Sequence, residues 1–261
     1  MKKFLAAIFV FIAFSNCVYA KNVTKKEEYN KTINSTDSYI KNSKYSKEEI
    51  SSDNILELIQ KAYSYEQSGN YVMALRYYDR IIELDSENHP AYALRGLIYF
   101  EQYEAYTQAL QDFTLALKYD SNQSTYYIYR ALCRIKLGDN SGAISDLNNA
   151  IEINNKVGDK DAFVYFTRAL LYYENKNHKN AIEDATAAIK IQPKYPDAFY
   201  CRGMAKIGIA IKNRSVSELE LGIKDINYAK EQYLEKGDID GYQKTVKSYN
   251  SYQKILKSLK N

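Results

Sequence analysis

From Ile55 onward, apolar residues recur three and four positions apart, the period of an amphipathic helix, and short polar breaks cut the periodic runs at near-regular intervals. The pattern is plainest over residues 126–155. Tyr127, Ile128, Ala131, Leu132 and Ile135 make one helical run, Gly138-Asp139-Asn140 breaks it, and Ala143, Leu147 and Ala150 begin a second helix with small residues on its inner face. Such a stretch predicts a helical hairpin. Copies of it fall at about 55–88, 89–123, 124–157, 162–195 and 196–236. One hairpin leaves an apolar face uncovered, so the repetition itself predicts stacking into a continuous core.

The copies share more than their period. The first carries Ala62, Tyr65, the turn Gly69-Asn70-Tyr71, Ala74 and Tyr78, and the second carries Tyr92, Arg95-Gly96, Tyr99, Ala109, Phe113 and Ala116, with one extra residue in its turn. The third has Tyr127, Arg130-Ala131, Gly138, Ala143, Leu147 and Ala150, and the fourth Tyr165, Arg168-Ala169, Tyr172, Ala181, Ala185, Ala188 and Pro193. This pattern resembles the tetratricopeptide repeat, a helix-turn-helix unit of about 34 residues. The resemblance implies an all-α fold, a right-handed α-solenoid of about five tandem helix-turn-helix repeats spanning 53–236.

The fifth copy begins with Phe199 and Arg202-Gly203, but Gly222, Ile226 and Ala229 of its second helix arrive about seven positions late. An expanded hairpin turn is the expectation, with Ser215 and Glu218 at capping-box spacing to start the delayed helix. Residues 237–261 are expected to form a capping helix, placing Tyr242, Val246, Tyr249, Leu256 and Leu259 on one face.

Ahead of the repeats, Lys2-Lys3, an apolar run from Phe4 to Phe14, and small residues leading to Ala20 read as a secretory signal peptide over 1–20, cleaved after Ala20. The run is too short to span a bilayer. Cys17 directly behind it is placed as in bacterial lipoprotein leaders, although Asn16 is a poor fit to the small residue that precedes such a cysteine. Residues 21–52, rich in Lys, Asn, Ser, Thr and Glu without apolar period, read as a disordered polar tether. The expected localisation is therefore exported: periplasmic or envelope-associated, as a soluble protein or lipid-anchored through Cys17.

Charge and composition narrow the function. A formal net charge of +4 lacks the footprint of a nucleic-acid binder, so no nucleic acid is expected among the partners. No catalytic constellation, phosphate loop or metal-ligand spacing is present in the sequence; His89 and His178 stand apart, so neither an enzyme nor a cofactor is expected. Cys133 and Cys201, two repeats apart and at different helix positions, read as small buried apolar side chains rather than a disulfide.

Two sets of residues go beyond the generic pattern. Arg95, Arg130, Arg168 and Arg202 share one place in the first helices, and Asp112, Asp146, Asp184 and Asp225 share one place in the second. Antiparallel packing brings such positions together as structural ion pairs; a ladder of arginines for an acidic ligand is the alternative. The second set is an apolar stripe one residue on from the core positions: Leu97 and Phe100; Ile128, Leu132 and Ile135; Phe166, Leu170 and Tyr173; Tyr200 and Met204, continued by Ile207, with Tyr63 at the corresponding place in the first copy. The resemblance implies that this face lines a concave groove in which a peptide or helix of a partner protein is bound. The Lys and Asn residues with which some relatives clamp a terminal carboxylate are absent from these positions. The alternative is packing of the stripe against the next repeat. Residues 244–260 carry five lysines and no acid, which suits either contact with an anionic membrane or the solvated face of a cap. The function expected is a non-catalytic interaction scaffold in the cell envelope. The alternatives are an assembly or secretion factor anchored through Cys17, and a regulatory subunit of an envelope glycan- or peptide-processing enzyme.

Overall fold

A computed structural model describes residue 50 and residues 52–260; the expected leader, Cys17 and almost all of the expected tether lie outside the described residues. Within them the chain is all-α, eleven helices in tandem with no strand: α1 (Ile55–Gln67), α2 (Tyr71–Leu84), α3 (His89–Glu101), α4 (Tyr106–Tyr119), α5 (Ser124–Lys136), α6 (Asn140–Val157), α7 (Ala162–Glu174), α8 (His178–Ile191), α9 (Pro196–Asn213), α10 (Val216–Glu235) and α11 (Ile239–Lys260). They fall into two compact units, one taking residues up to Ser86 together with Ile98–Ala105, the other Glu87–Leu97 and everything from Tyr106.

In the smaller unit α1 and α2 form a hairpin. Asn54 caps α1 by accepting from the Leu56 and Glu57 amides, and Asn70 caps α2 by accepting from Met73. Between them Gly69 sits at φ 76, a left-handed conformation that glycine adopts without steric cost. Leu58 and Ala62 of α1 and Met73, Ala74, Tyr78 and Ile81 of α2 are all buried in this unit, while Tyr65 stacks on Tyr77. The extra residue of the second copy also lies in this unit. The Ala105 amide reaches back six residues to the Tyr99 carbonyl, with Glu104 in the left-handed region. In four other turns the corresponding amide, of Asn70, Asp139, Asn177 or Ser215, reaches back five.

The larger unit stacks hairpins α5/α6, α7/α8 and α9/α10, each touching the next, after the α3–α4 contact made by residues up to Leu97. Small residues let the two helices of a hairpin approach. Ala131, Ala143, Leu147 and Ala150 are all fully buried in one cluster with Val164 and Leu171 of the following hairpin. Burial of a side chain such as Leu147 contributes about 2 kcal/mol. In the fifth copy Gly203 and Gly222 take these places, and a Cβ on either would meet the other's carbonyl oxygen at 2.8 Å.

The Arg and Asp positions meet in every hairpin that carries them. Arg95 donates from Nε and Nη2 to the two oxygens of Asp112 at 2.9 and 2.6 Å, Arg130 to Asp146 at 3.0 and 2.6 Å, Arg168 to Asp184 at 2.7 and 2.7 Å, and Arg202 to Asp225 at 2.8 and 2.7 Å. Each pair is bidentate, and all four aspartates are buried. The third and fifth copies add a second cation where the others have tyrosine: Arg134 Nη1 lies 3.0 Å from Asp146, and Lys206 lies 2.7 Å from Asp225.

The fifth hairpin departs from the expected expanded turn. Its turn is ordinary, with Arg214 at φ 53 and Ser215 capping α10 by accepting from the Glu218 amide. The additional residues lengthen the helices instead. Arg and Asp are 16 apart in the third and fourth copies and 23 in the fifth. About four of the extra residues precede the turn and about three follow it, close to one helical turn in each helix, so both side chains return to the same face. α11 then runs antiparallel to α10, with Lys260 paired to Glu220. Its inner face carries Thr245, Tyr249, Tyr252 and Leu256, while Leu259, expected on that face, is 57% exposed.

Removing Asp146 would strand two cations. Asp146→Asn is expected to lower unfolding stability by about 3 kcal/mol, and Arg130→Lys, which keeps the charge but loses the fork, by about 1 kcal/mol. Urea unfolding followed by circular dichroism reads both; a loss below about 0.5 kcal/mol for Asp146→Asn contradicts a stabilising pair.

Candidate functional site

The hairpin register decides which side chains of the first helices remain open. Arg130 points at Asp146, Ala131 is fully buried against α6, and Leu132 follows on the adjoining face, half-buried. The same succession places Leu97 after Gly96 and Leu170 after Ala169. One turn further, Ile135 and Tyr173 are half-buried as well. In the larger unit Leu97, Leu132, Ile135, Leu170 and Tyr173 are thus partly covered, as are Tyr200 and Met204; Leu132 and Ile135 rest against the cluster of Ala131, Val164 and Leu171 with part of each side chain still open.

Ile128, Phe166 and Phe100 are buried rather than lining a groove as expected, and Tyr200 and Met204 are engaged by another helix. Ile128 and Phe166, 7% and 2% exposed, are taken up by the neighbouring hairpin: Ile128 joins the cluster with Val164 and Leu171, and the Phe166 ring packs on Tyr195 at 5.0 Å. Their place on the helix points toward the next first helix rather than outward. Tyr200 and Met204 lie under α11. They pack with Ile207, Tyr249, Tyr252 and Leu256, and the Tyr200 hydroxyl shares a 2.9 Å hydrogen bond with Ser248. Phe100 and Tyr63 belong to the smaller unit, where Phe100 is buried and Tyr63 is 60% exposed beside exposed Leu56 and Ile59 on α1.

α11 also supplies side chains that the repeat pattern did not single out. Lys244 lies over the Tyr200 ring at 5.2 Å, and its pKa is lowered by burial against the opposing pull of Asp197. Tyr173 is pushed up to about 12 by burial, with Tyr252 and Tyr200 adding to the shift. The strip on α5 and α7 therefore ends at a tyrosine-lined edge where α9 and α11 meet. The only signal in the sequence was the Tyr and Lys spacing of 244–252.

The arginines are engaged internally. Beyond its aspartate, each guanidinium stands over an aromatic ring three residues earlier: Arg95 over Tyr92 and Arg130 over Tyr127 at 5.5 Å, Arg168 over Tyr165 at 5.9 Å, and Arg202 over Phe199 at 5.1 Å. Arg168 also donates to Asn148, and Arg202 to Thr186, on the second helix of the preceding hairpin. This geometry favours the structural pair over the ladder for an acidic ligand.

Neither of the two described cysteines is poised as a nucleophile. Cys133 and Cys201 are free and buried, and burial pushes both thiols up to about 12, far from a reactive thiolate. Among the described residues no three His, Cys, Asp or Glu side chains gather at metal-binding distance, and no helix is long and apolar enough to cross a membrane. His89 Nδ1 lies 3.0 Å from the Tyr126 hydroxyl, and His178 packs on Tyr173 and fills the space that Gly208 leaves open.

The family description "Tetratricopeptide repeat" matches residues 59–124 and, separately, residues 162–195. A TPR repeat-containing protein of Methanocaldococcus jannaschii is 30% identical over 107 residues, 41% of this chain and 18% of that protein. Serine/threonine-protein phosphatase 5 of Rattus norvegicus is 30% identical over 126 residues, 48% of this chain and 25% of that protein. The chain thus spans a quarter or less of these relatives' own length. Among solved structures, YrrB, described as a TPR protein with an unusual peptide-binding site, superposes with a TM-score of 0.62 at 20% identity, covering 81% of this chain and 97% of YrrB. The helical hairpins over residues 59–124 and 162–195 are tetratricopeptide repeats.

Proposed function

We propose that the protein is a non-catalytic scaffold that holds a peptide or helix of a partner protein against the apolar strip of its first helices. The observation that carries this reading is the half-buried run Leu132, Ile135, Leu170 and Tyr173 on α5 and α7. Such side chains suit burial of a partner's hydrophobic anchors, and the neighbouring arginines, tied to their aspartates, offer no free charge for an acidic ligand. A peptide-binding site described for YrrB, which shares the fold, supports the same class of ligand.

Residues 1–20, read as a secretory leader, support a location for this scaffold outside the cytoplasm, in a cell envelope, freely exported after cleavage behind Ala20. Anchoring through Cys17 would make it a tethered assembly or secretion factor, and attachment to an envelope enzyme would make it a regulatory subunit. In each case the strip is the contact surface.

A Leu132→Glu, Leu170→Glu double variant should remain helical by circular dichroism and lose partner capture in a crosslinking pull-down from the native envelope. A helical double variant that still captures its partner refutes the strip as the binding surface. The intact mass of the mature protein settles processing: the expected value is that of a chain starting at Lys21, whereas an acylated start at Cys17 or an uncleaved chain contradicts it.

A further inference from the structure

The last two turns of α11 are a surface that neither the repeat core nor the apolar strip uses. Of residues 254–260 only Leu256 is buried. Lys254 and Lys257 are exposed, with Lys247 on the same outward face two to three turns earlier, and no carboxylate side chain occurs between Asp240 and the end of the chain. Ile255 and Leu259 are 40% and 57% exposed beside these lysines. They are left outward because Thr245, Tyr249, Tyr252 and Leu256 already occupy the face that packs on α9 and α10.

We propose that this end of α11 docks the protein on an anionic membrane surface, with Lys247, Lys254 and Lys257 against lipid phosphates and Ile255 and Leu259 at the edge of the acyl region. Charge complementarity selects a polyanionic occupant, and the mixture of side chains selects lipid over protein. Lysine is depleted at protein–protein interfaces, and two aliphatic side chains are too small an apolar core for one. Lysines flanking a few exposed aliphatics are the composition of helices that lie at a membrane surface. The contact is peripheral and reversible, because the hydrophobic face of α11 is committed to the fold and cannot insert. It is independent of the strip on α5 and α7.

The test uses the full chain in co-sedimentation with vesicles of one part phosphatidylglycerol to two of phosphatidylcholine, beside vesicles of phosphatidylcholine alone. Preferential binding to the mixed vesicles is expected near 0.1 M salt and should disappear near 1 M, where the screening length falls from about 10 Å to about 3 Å. At about 1 kcal/mol per lysine, the Lys254→Gln, Lys257→Gln variant should bind the mixed vesicles about 30-fold more weakly. Ile255→Ser, Leu259→Ser should lose binding at unchanged charge. All four side chains are exposed, so helicity should be unaffected, and the leader is identical in every variant, so these differences belong to α11. Equal binding to both vesicle types, or undiminished binding by the lysine variant, overturns the proposal. Retention on immobilised polyglutamate without vesicle binding also overturns it, in favour of an acidic protein partner.

Discussion

The bidentate contact between an arginine of the first helix and a buried aspartate of the second is the constraint on which the larger unit depends. A carboxylate as buried as Asp146, 1% exposed, is tolerable only with its charge met, and the planar guanidinium of Arg130 meets both oxygens in one geometry. That fork fixes the axial register and the rotation of the two helices at once. The ring of Tyr127 beneath Arg130 limits the side chain from the other side, and Arg168 and Arg202 extend the tie to the preceding hairpin through Asn148 and Thr186. Once Arg130 is committed, Ala131 must face α6 and Leu132 is left beside the open face.

The fifth hairpin shows how strictly the contact is kept. A helix accepts additional residues without rotating its faces only in multiples close to 3.6, and the insertion there is divided between the two helices in just that way. Arg202 still reaches Asp225 through both nitrogens, and the Gly203–Gly222 approach survives with it. The lengthening carries Ile211, 60% exposed, beyond the end of the regular repeat, while α11 covers Tyr200 and Met204 below it. One end of the apolar strip is thereby closed.

Much of this was legible in the sequence, because the hairpins, the turns at Gly69 and Gly138 and the Arg and Asp registers are all set by local period and spacing. What stayed hidden depends on neighbours. Ile128 and Leu132 lie one turn apart on the same helix and read alike in a periodic pattern. Only the position of α7 sends Ile128 into the core with Val164 and leaves Leu132 partly open. The fate of Tyr200 likewise rests on Ser248 and Lys244, more than forty residues away, which no repeat pattern connects to it. The delayed second helix of the fifth copy was visible as spacing, but spacing alone does not distinguish a longer turn from two longer helices.

The partly open strip of α5 and α7 is the surface proposed to meet a partner. Site-specific photocrosslinking tests it most directly, with a photoreactive phenylalanine at Leu132 or Leu170 and, for comparison, at exposed Ser145 and Glu183 on the second helices. The expected result is one shared adduct from positions 132 and 170, absent from 145 and 183. Adducts from 145 and 183 but none from 132 or 170 would contradict it.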